Sequence, residues 1–365
     1  MVQLYHGRKA GATSRQGEDS EARTTQLFST FHLDFPNSRE NTSTVSVRVV
    51  LSSSLGAAVW VSALIVGLGQ SAATPQQVTL RFELTPPEIE LYKGAHTLID
   101  WTPREIHQCP YLHKLRPVAG QEALETVLER VGDTVAGQLR DFPRIACDEV
   151  IFETLPGLGI YDLNGMREPT RNLKFRYIVI PQAAFDIPAF DEYRTDLDGK
   201  PIDALRMRGL SMTSSKYAST SLYFSPADQS DSRFRYFGTE RIRDRECHVV
   251  GFAQEPARAR RIIRFRTQRE TAGLLCQGLG WIDSETFQIL RITVWLLAPR
   301  MDIGMSSQSS TVDFSPVKPI GLDRELWMPR EVAVVLVFQG KPLRNTYRYS
   351  NYQLFRVEST IKPES

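Results

Sequence analysis

The sequence predicts an α+β protein: a strongly curved antiparallel sheet wrapped around one long helix, preceded by an extended N-terminal arm. Three observations carry this reading. Residues Gln121 to Asp141 have one apolar stripe at helical spacing. From Ile145 onward the apolar period changes to two, with turn residues between the runs. One helix cannot hide both faces of the sheet that so many hairpins build, so the economical arrangement is a bent sheet, an open or partial barrel.

The elements follow in order. Residues 1–47 are polar, mixed in charge and rich in Ser, Thr, Arg and Glu, a composition that buries too little surface to order itself. This extension is expected to be disordered, or never made if the true start lies near Val45 or Val47. Residues 48–73 begin at Arg48, continue as a charge-free apolar run and end in Ser71-Ala72-Ala73. That is the pattern of a secretory signal peptide. Val49 to Gly69 also reaches the lower length of a membrane span, so an uncleaved anchor is the alternative. Either way the folded part is expected in the periplasm or cell envelope, with an anchor giving membrane contact.

Residues 74–119 hold six prolines and little periodicity, and read as an extended Pro-rich arm with one short helix at Pro103–His107. The long helix follows, with Leu124, Val127, Leu128, Val131, Val135 and Leu139 on its stripe and Pro143 as its stop. Strands are expected at Ile145–Thr154, Arg171–Pro181, Phe190–Leu197, Arg233–Ile242, Cys247–Gln254, Arg260–Thr267, Leu274–Asp283, Phe287–Leu297, Ser310–Pro316, Arg330–Gln339 and Leu343–Phe355. Arg206–Pro226 reads as a short helix or a long loop. On Phe287–Leu297, Leu290, Ile292, Val294 and Leu296 are expected on one face, and Arg291, Thr293 and Trp295 on the other. The main domain is placed at 120–358, with a tail at 359–365.

Composition excludes some functions. The net charge is +2, so nothing general favours a polyanion, and no nucleic-acid partner is expected. The four cysteines (Cys109, Cys147, Cys247, Cys276) allow two disulfides in an oxidising compartment, or are buried small apolar residues. No HExxH, GxSxG, P-loop or GxGxxG occurs. Cys247 and His248 are neighbours on a strand and project to opposite faces, so they cannot act on each other. Asp196-x-Asp198-Gly199 is an incomplete calcium loop, and a hairpin turn explains it. No catalytic residue, metal ligand or cofactor is therefore expected. Arg258, Arg260, Arg261, Arg264 and Arg266 form a basic cluster that suits either anionic headgroups or a charged edge strand.

The stretch Gly280-Trp281-Ile282-Asp283-Ser284-Glu285-Thr286-Phe287-Gln288-Ile289-Leu290-Arg291 resembles a hairpin of the outer-membrane lipoprotein carrier superfamily (LolA- and LolB-like proteins) and the related sigma-factor regulator RseB. The chain also resembles a family of secreted proteins of acidobacterial type. That likeness rests on Leu98–Pro103, Asp191–Leu197, Ser232–Tyr236, Leu296–Arg300 and Trp327–Glu331. The resemblance implies a half-barrel with a helix over its mouth and an apolar concavity that receives acyl chains. It carries over no individual functional residue. The expected function is a non-enzymatic, exported envelope protein binding a lipid or the acyl part of a lipoprotein. The candidate lining is Trp281, Leu290, Ile292, Val294, Leu296, Phe252, Leu128, Val131 and Val135. The alternative is an envelope protein–protein interaction or sensor module of RseB-like type.

Overall fold

The structure is a computed structural model that describes residues 27–34, 44–51, 84–154, 160–162, 165–167, 170–182, 189–200, 202, 217–266 and 271–355. The chain divides into two compact units, Met1–Thr79 and Leu80–Ser365. In the first unit, β1 (Leu27–Asp34) and β2 (Thr44–Leu51) pair antiparallel along their whole length. This ladder falls partly within the stretch expected to be disordered. Alternating Val45, Val47 and Val49 give β2 the character of a strand. The signal or anchor segment lies outside the described residues from Ser52 onward.

The second unit begins with α1 (Pro86–Leu91), α2 (Pro103–Gln108), β3 (Arg116–Pro117) and α3 (Leu124–Arg140). Then come β4 (Ile145–Thr154), β5 (Ile160–Asp162), β6 (Gly165–Arg167), β7 (Thr170–Gln182) and β8 (Ala189–Thr195). A 3₁₀ segment at Ala218–Phe224 and α4 (Pro226–Gln229) precede β9 (Ser232–Ile242) and β10 (Arg245–Gln254). The remaining strands are β11 (Ile263–Arg266), β12 (Thr271–Leu274), β13 (Cys276–Asp283), β14 (Ile289–Leu296), β15 (Met305–Val317), β16 (Leu326–Phe338) and β17 (Lys341–Leu354). Eleven strands form one antiparallel sheet in the order β3-β9-β10-β13-β14-β15-β16-β17-β4-β7-β8. The sheet stays open, because its end strands β3 and β8 do not pair with each other.

The sheet is bent. Glu192 on β8 accepts hydrogen bonds from the backbone N–H groups of Ala218 and Ser219, while the Phe224 ring lies over Gly280 on β13. β8 and β13 are seven inter-strand steps apart, about 34 Å across a flat sheet. The seven-residue 3₁₀ segment spans about 14 Å. Only a curved sheet brings both strands within its reach. On the concave face α3 lays Val127, Val131 and Val135 against β-strand residues from Tyr236 through Tyr347 to Val179 in one continuous core.

The convex face is covered by the arm, which the sequence reading treated as extended and separate. From Leu80 onward it belongs to the same compact unit as the sheet, and it carries α1 besides the short helix expected at Pro103–His107. Thr102 caps α2, with Glu105 reaching back to the Thr102 N–H at 2.7 Å, a capping box that nucleates the helix locally. Leu98, Cys109 and Leu112 then pack on Phe237, Val249, Leu279 and Trp281. Polar anchors fix the arm. Gln277 Oε1 accepts from the Leu98 N–H (2.8 Å), and Arg235 donates to the carbonyls of Ile99 and Trp101 (3.0 and 2.6 Å). Gly238, at φ 132°, has no room for a β-carbon because the Arg116 carbonyl would lie 2.1 Å away, which is how β3 docks so closely on β9.

Candidate functional site

The expected lining residues do not form one cavity. Phe252, Ile292, Val294, Val131 and Val135 share the concave core, with Leu128 packed against it. Leu296 lies in an adjoining cluster with Met305, Leu336 and Leu343 under the β11–β12 hairpin. Trp281 and Leu290 are on the convex face beneath the arm. Leu290 leaves the expected face because it is the extra residue of a bulge. Trp281 pairs with Arg291 and Ile282 with Ile289, so Leu290 has no partner and the side-chain alternation inverts there.

Nor is the concave face open. Tyr217, Leu222, Tyr223 and Phe224 fill it together with α3, and each is at most 5 % exposed. The room left near Val135, Phe142, Phe190 and Phe314 is about 20 Å³, the scale of a single water. An acyl chain does not fit in this arrangement. Toward β8 the same face becomes polar. Arg194 Nη2 donates to Glu149 at 2.7 Å, both side chains being buried, and Glu192 receives the Tyr177 and Ser219 hydroxyls. Sequence reasoning missed this cluster: Glu149 is in phase with Ile145, Cys147 and Ile151, and Glu192 with Phe190, but an acidic residue in a strand reads by itself as solvent-facing.

The roomy cleft is on the convex face. It measures about 600 Å³ and lies between the arm and strands β13 to β16. Trp295 stacks between Trp101 and Tyr111, with ring centroids 6.1 and 5.9 Å away and planes 17° apart. Leu297, Ala298, Pro299 and Val335 continue the apolar wall. Ser306, Ser307, Ser309, Gln108 and the His96–Glu105 pair give it a polar side. His96 Nε2 lies 2.8 Å from Glu105 Oε1. Hydrogen bonds from the Thr102 N–H and hydroxyl, then from His96, bring the Glu105 carboxyl down to about 2, so it stays ionised. Cys109 also lines the cleft, but burial pushes its thiol up, away from the thiolate form that nucleophilic chemistry requires. The sequence did contain a pointer to this site: Trp295 was expected on the face opposite Ile292 and Val294, where it is found.

Other sequence features resolve as scaffold. All four cysteines are buried and free, so neither disulfide forms. The basic cluster is largely neutralised: Arg258 pairs with Glu255, Arg260 with Asp231 and Arg261 with Asp228. Asp196 Oδ1 accepts the Asp198 and Lys200 N–H groups (3.0 and 2.8 Å), which ties its carboxylate to the turn. Among the described residues no group of three or more His, Cys, Asp or Glu side chains is placed to hold a metal ion, and no helix is long and apolar enough to cross a membrane. The Gly280–Arg291 hairpin is held by Asp283, whose Oδ1 accepts the Thr286 N–H and hydroxyl at 2.7 and 2.8 Å.

No family model matches the chain, and no curated protein matches it. Among solved structures it is similar to a DUF1329 family protein from Desulfovibrio piger, at 10 % identity and a TM-score of 0.37, covering 64 % of this chain and 94 % of that one. It is also similar to a putative outer membrane lipoprotein-sorting protein domain from Vibrio parahaemolyticus, at 11 % identity and a TM-score of 0.32, covering 63 % and 92 %.

Proposed function

We propose that this chain is an exported, non-enzymatic envelope protein that holds a hydrophobic ligand, a lipid or acyl chain, in the convex-face cleft. The observation that carries the reading is the contrast between the two faces. The concave face is filled, whereas the convex cleft offers about 600 Å³ walled by Trp101, Tyr111 and Trp295. Ligand sites are concave, largely apolar and aromatic, with a few polar groups at the margin, and about 300–1,000 Å³ in volume. Desolvating an acyl chain there contributes about 0.8 kcal/mol per buried methylene. The hydroxyls of Ser306, Ser307 and Ser309 and the His96–Glu105 pair suit a polar end group. Export rests on the apolar run and small-residue triplet of residues 48–73.

Fluorescence quenching by a dibrominated fatty acid tests the proposal. Saturable quenching of the intrinsic tryptophan signal is expected. Trp295→Ala combined with Tyr111→Ala is expected to weaken the acid by at least about tenfold, or ~1.4 kcal/mol. Absence of saturable quenching in the parent protein, or unchanged affinity in a folded double variant, would overturn it.

A further inference from the structure

The convex face carries a second feature that the cleft does not use. A charged ladder crosses four neighbouring strands, with Arg291 opposite Asp313, Asp313 opposite Glu331, and Glu331 opposite Arg348. Arg291 grips Asp313 with both ends of its fork, Nε to Oδ1 at 2.8 Å and Nη2 to Oδ2 at 3.1 Å. Arg243 joins the same carboxylate, Nη2 to Oδ1 at 2.9 Å, and its Nη1 donates to the Phe314 carbonyl at 2.9 Å.

Arg243 is placed there by its turn. It and Asp244 are the two central residues between β9 and β10, both left-handed at φ 49° and 64°. A third arginine arrives through a bulge. Asp313 pairs with Glu331 and Phe314 with Pro329, so Arg330 is the extra residue, directly across from the two groups that Arg243 holds. Arg330 is exposed and makes no hydrogen bond or ion pair with another described residue.

Charge does not balance at this spot. Arg348 Nε binds Glu331 at 2.8 Å, which cancels that pair. Glu240, buried nearby on β9, accepts the Trp281 indole N–H at 2.9 Å; counting its carboxylate with Asp313 and Glu331, the four arginines Arg243, Arg291, Arg330 and Arg348 still outnumber the acids by one. Arg243 and Arg291 therefore share the Asp313 carboxylate, whose oxygens are occupied, while Arg330 stands across from it with no carboxylate of its own among the described residues. Arg243 and Arg291 keep about a third of their side-chain surface exposed, so the unpaired donors reach solvent. Burial holds Arg243 below the ordinary arginine value; Asp313 opposes this, and the neighbouring charges of Arg330 and Arg291 add to it.

We infer that Arg243, Arg291 and Arg330 form a binding site for a phosphate-type oxyanion. Planar guanidinium forks suit phosphate oxygens better than ammonium groups do. The site is independent of the cleft, although both lie on one face. Arg291 and Trp295 are four residues apart on β14, about 13 Å. The anion has two chemical sources, a phospholipid headgroup or a free phosphate.

The test uses the full chain with inorganic phosphate, and separately with phosphatidylglycerol and phosphatidylcholine vesicles, at fixed ionic strength. Arg330→Ala is the main variant, because its exposed side chain holds nothing in the fold. Arg104→Ala, an exposed arginine on α2, is the control. A loss of about tenfold in Arg330→Ala, but not in Arg104→Ala, is expected for phosphate. The same loss for phosphatidylglycerol, with no phosphatidylcholine binding, identifies a headgroup site. Loss for phosphate alone identifies a soluble anion. If phosphate does not bind, or the two variants behave alike, the site is refuted. The fatty-acid titration of Arg330→Ala stays at the parent value if the two sites are separate, so failure of one reading leaves the other standing.

Discussion

The ring of Phe224 occupies the space that a β-carbon on Gly280 would need, 2.5 Å from the nearest ring carbon. Position 280 on β13 is a glycine for that reason: the aromatic ring lies on the backbone of the concave face and closes it. Gly280→Ala is expected to destabilise the protein by about 1–3 kcal/mol through overpacking. Chemical denaturation measures the loss. Fatty-acid affinity at the convex cleft should remain at the parent value, since the cleft lies on the other side of the sheet.

Ile292 and Trp295 separate core from cleft on one strand. Ile292 is fully buried in the concave core, so Ile292→Ala should cost about 2–5 kcal/mol of stability. Trp295 is partly exposed between two other rings, and its truncation should register mainly in ligand binding. Denaturation and quenching measured on both variants distinguish these roles. Equal stability losses from the two would mean that Trp295 is simply core.

This contrast shows how far the sequence could be read. Helix α3 and most strands were legible because apolar spacing is a local signal, and Asp283-x-x-Thr286 is a local turn. The Leu290 bulge was not legible, because it depends on which residues of β13 lie opposite. In the arm the helix at Pro103–His107 was legible from its proline start, whereas α1 and the docking of the arm on the sheet were not. Both helices are only six residues long; the segment around α2 docks on Phe237, Val249 and Trp281, and Leu84 and Tyr92 flanking α1 pack with Ala253, Leu275 and Leu297, contacts that no periodicity of their own records. The cleft needs Trp101, Tyr111 and Trp295 together, and these are brought together only by that docking.

Glu149 and Arg194 form an ion pair almost without solvent contact, with side-chain exposures of 0 % and 7 %. Arg194 also lies over the Tyr177 and Tyr347 rings, at 5.8 and 5.6 Å. Arg194→Met strands a buried carboxylate and should cost about 3–5 kcal/mol. Arg194→Met combined with Glu149→Leu removes both charges and should recover much of that loss. A double variant no better than the single would show that the pair is not the source of the destabilisation.

His248 gives the fold a pH dependence of defined sign. Its Nδ1 lies 2.9 Å from the Tyr236 hydroxyl, within hydrogen-bond distance, and the ring packs against Phe287. Burial lowers its pKa below the ordinary 6.5, with Asp283 opposing more weakly. The unfolded chain therefore takes up a proton that the folded chain refuses. This contribution is complete above 6.5 and is lost as pH falls from there through the lowered value. Glu192 works in the opposite sense, because burial raises its carboxyl and the fold gains from its protonation as pH falls. The His248 term is isolated by comparison with His248→Gln, which keeps an acceptor for Tyr236. Stability curves of parent and variant should run parallel at pH 7–8 and diverge below about 6.5, the parent falling faster. Parallel curves down to pH 5 would show that the ring titrates as freely in the fold as in the unfolded chain.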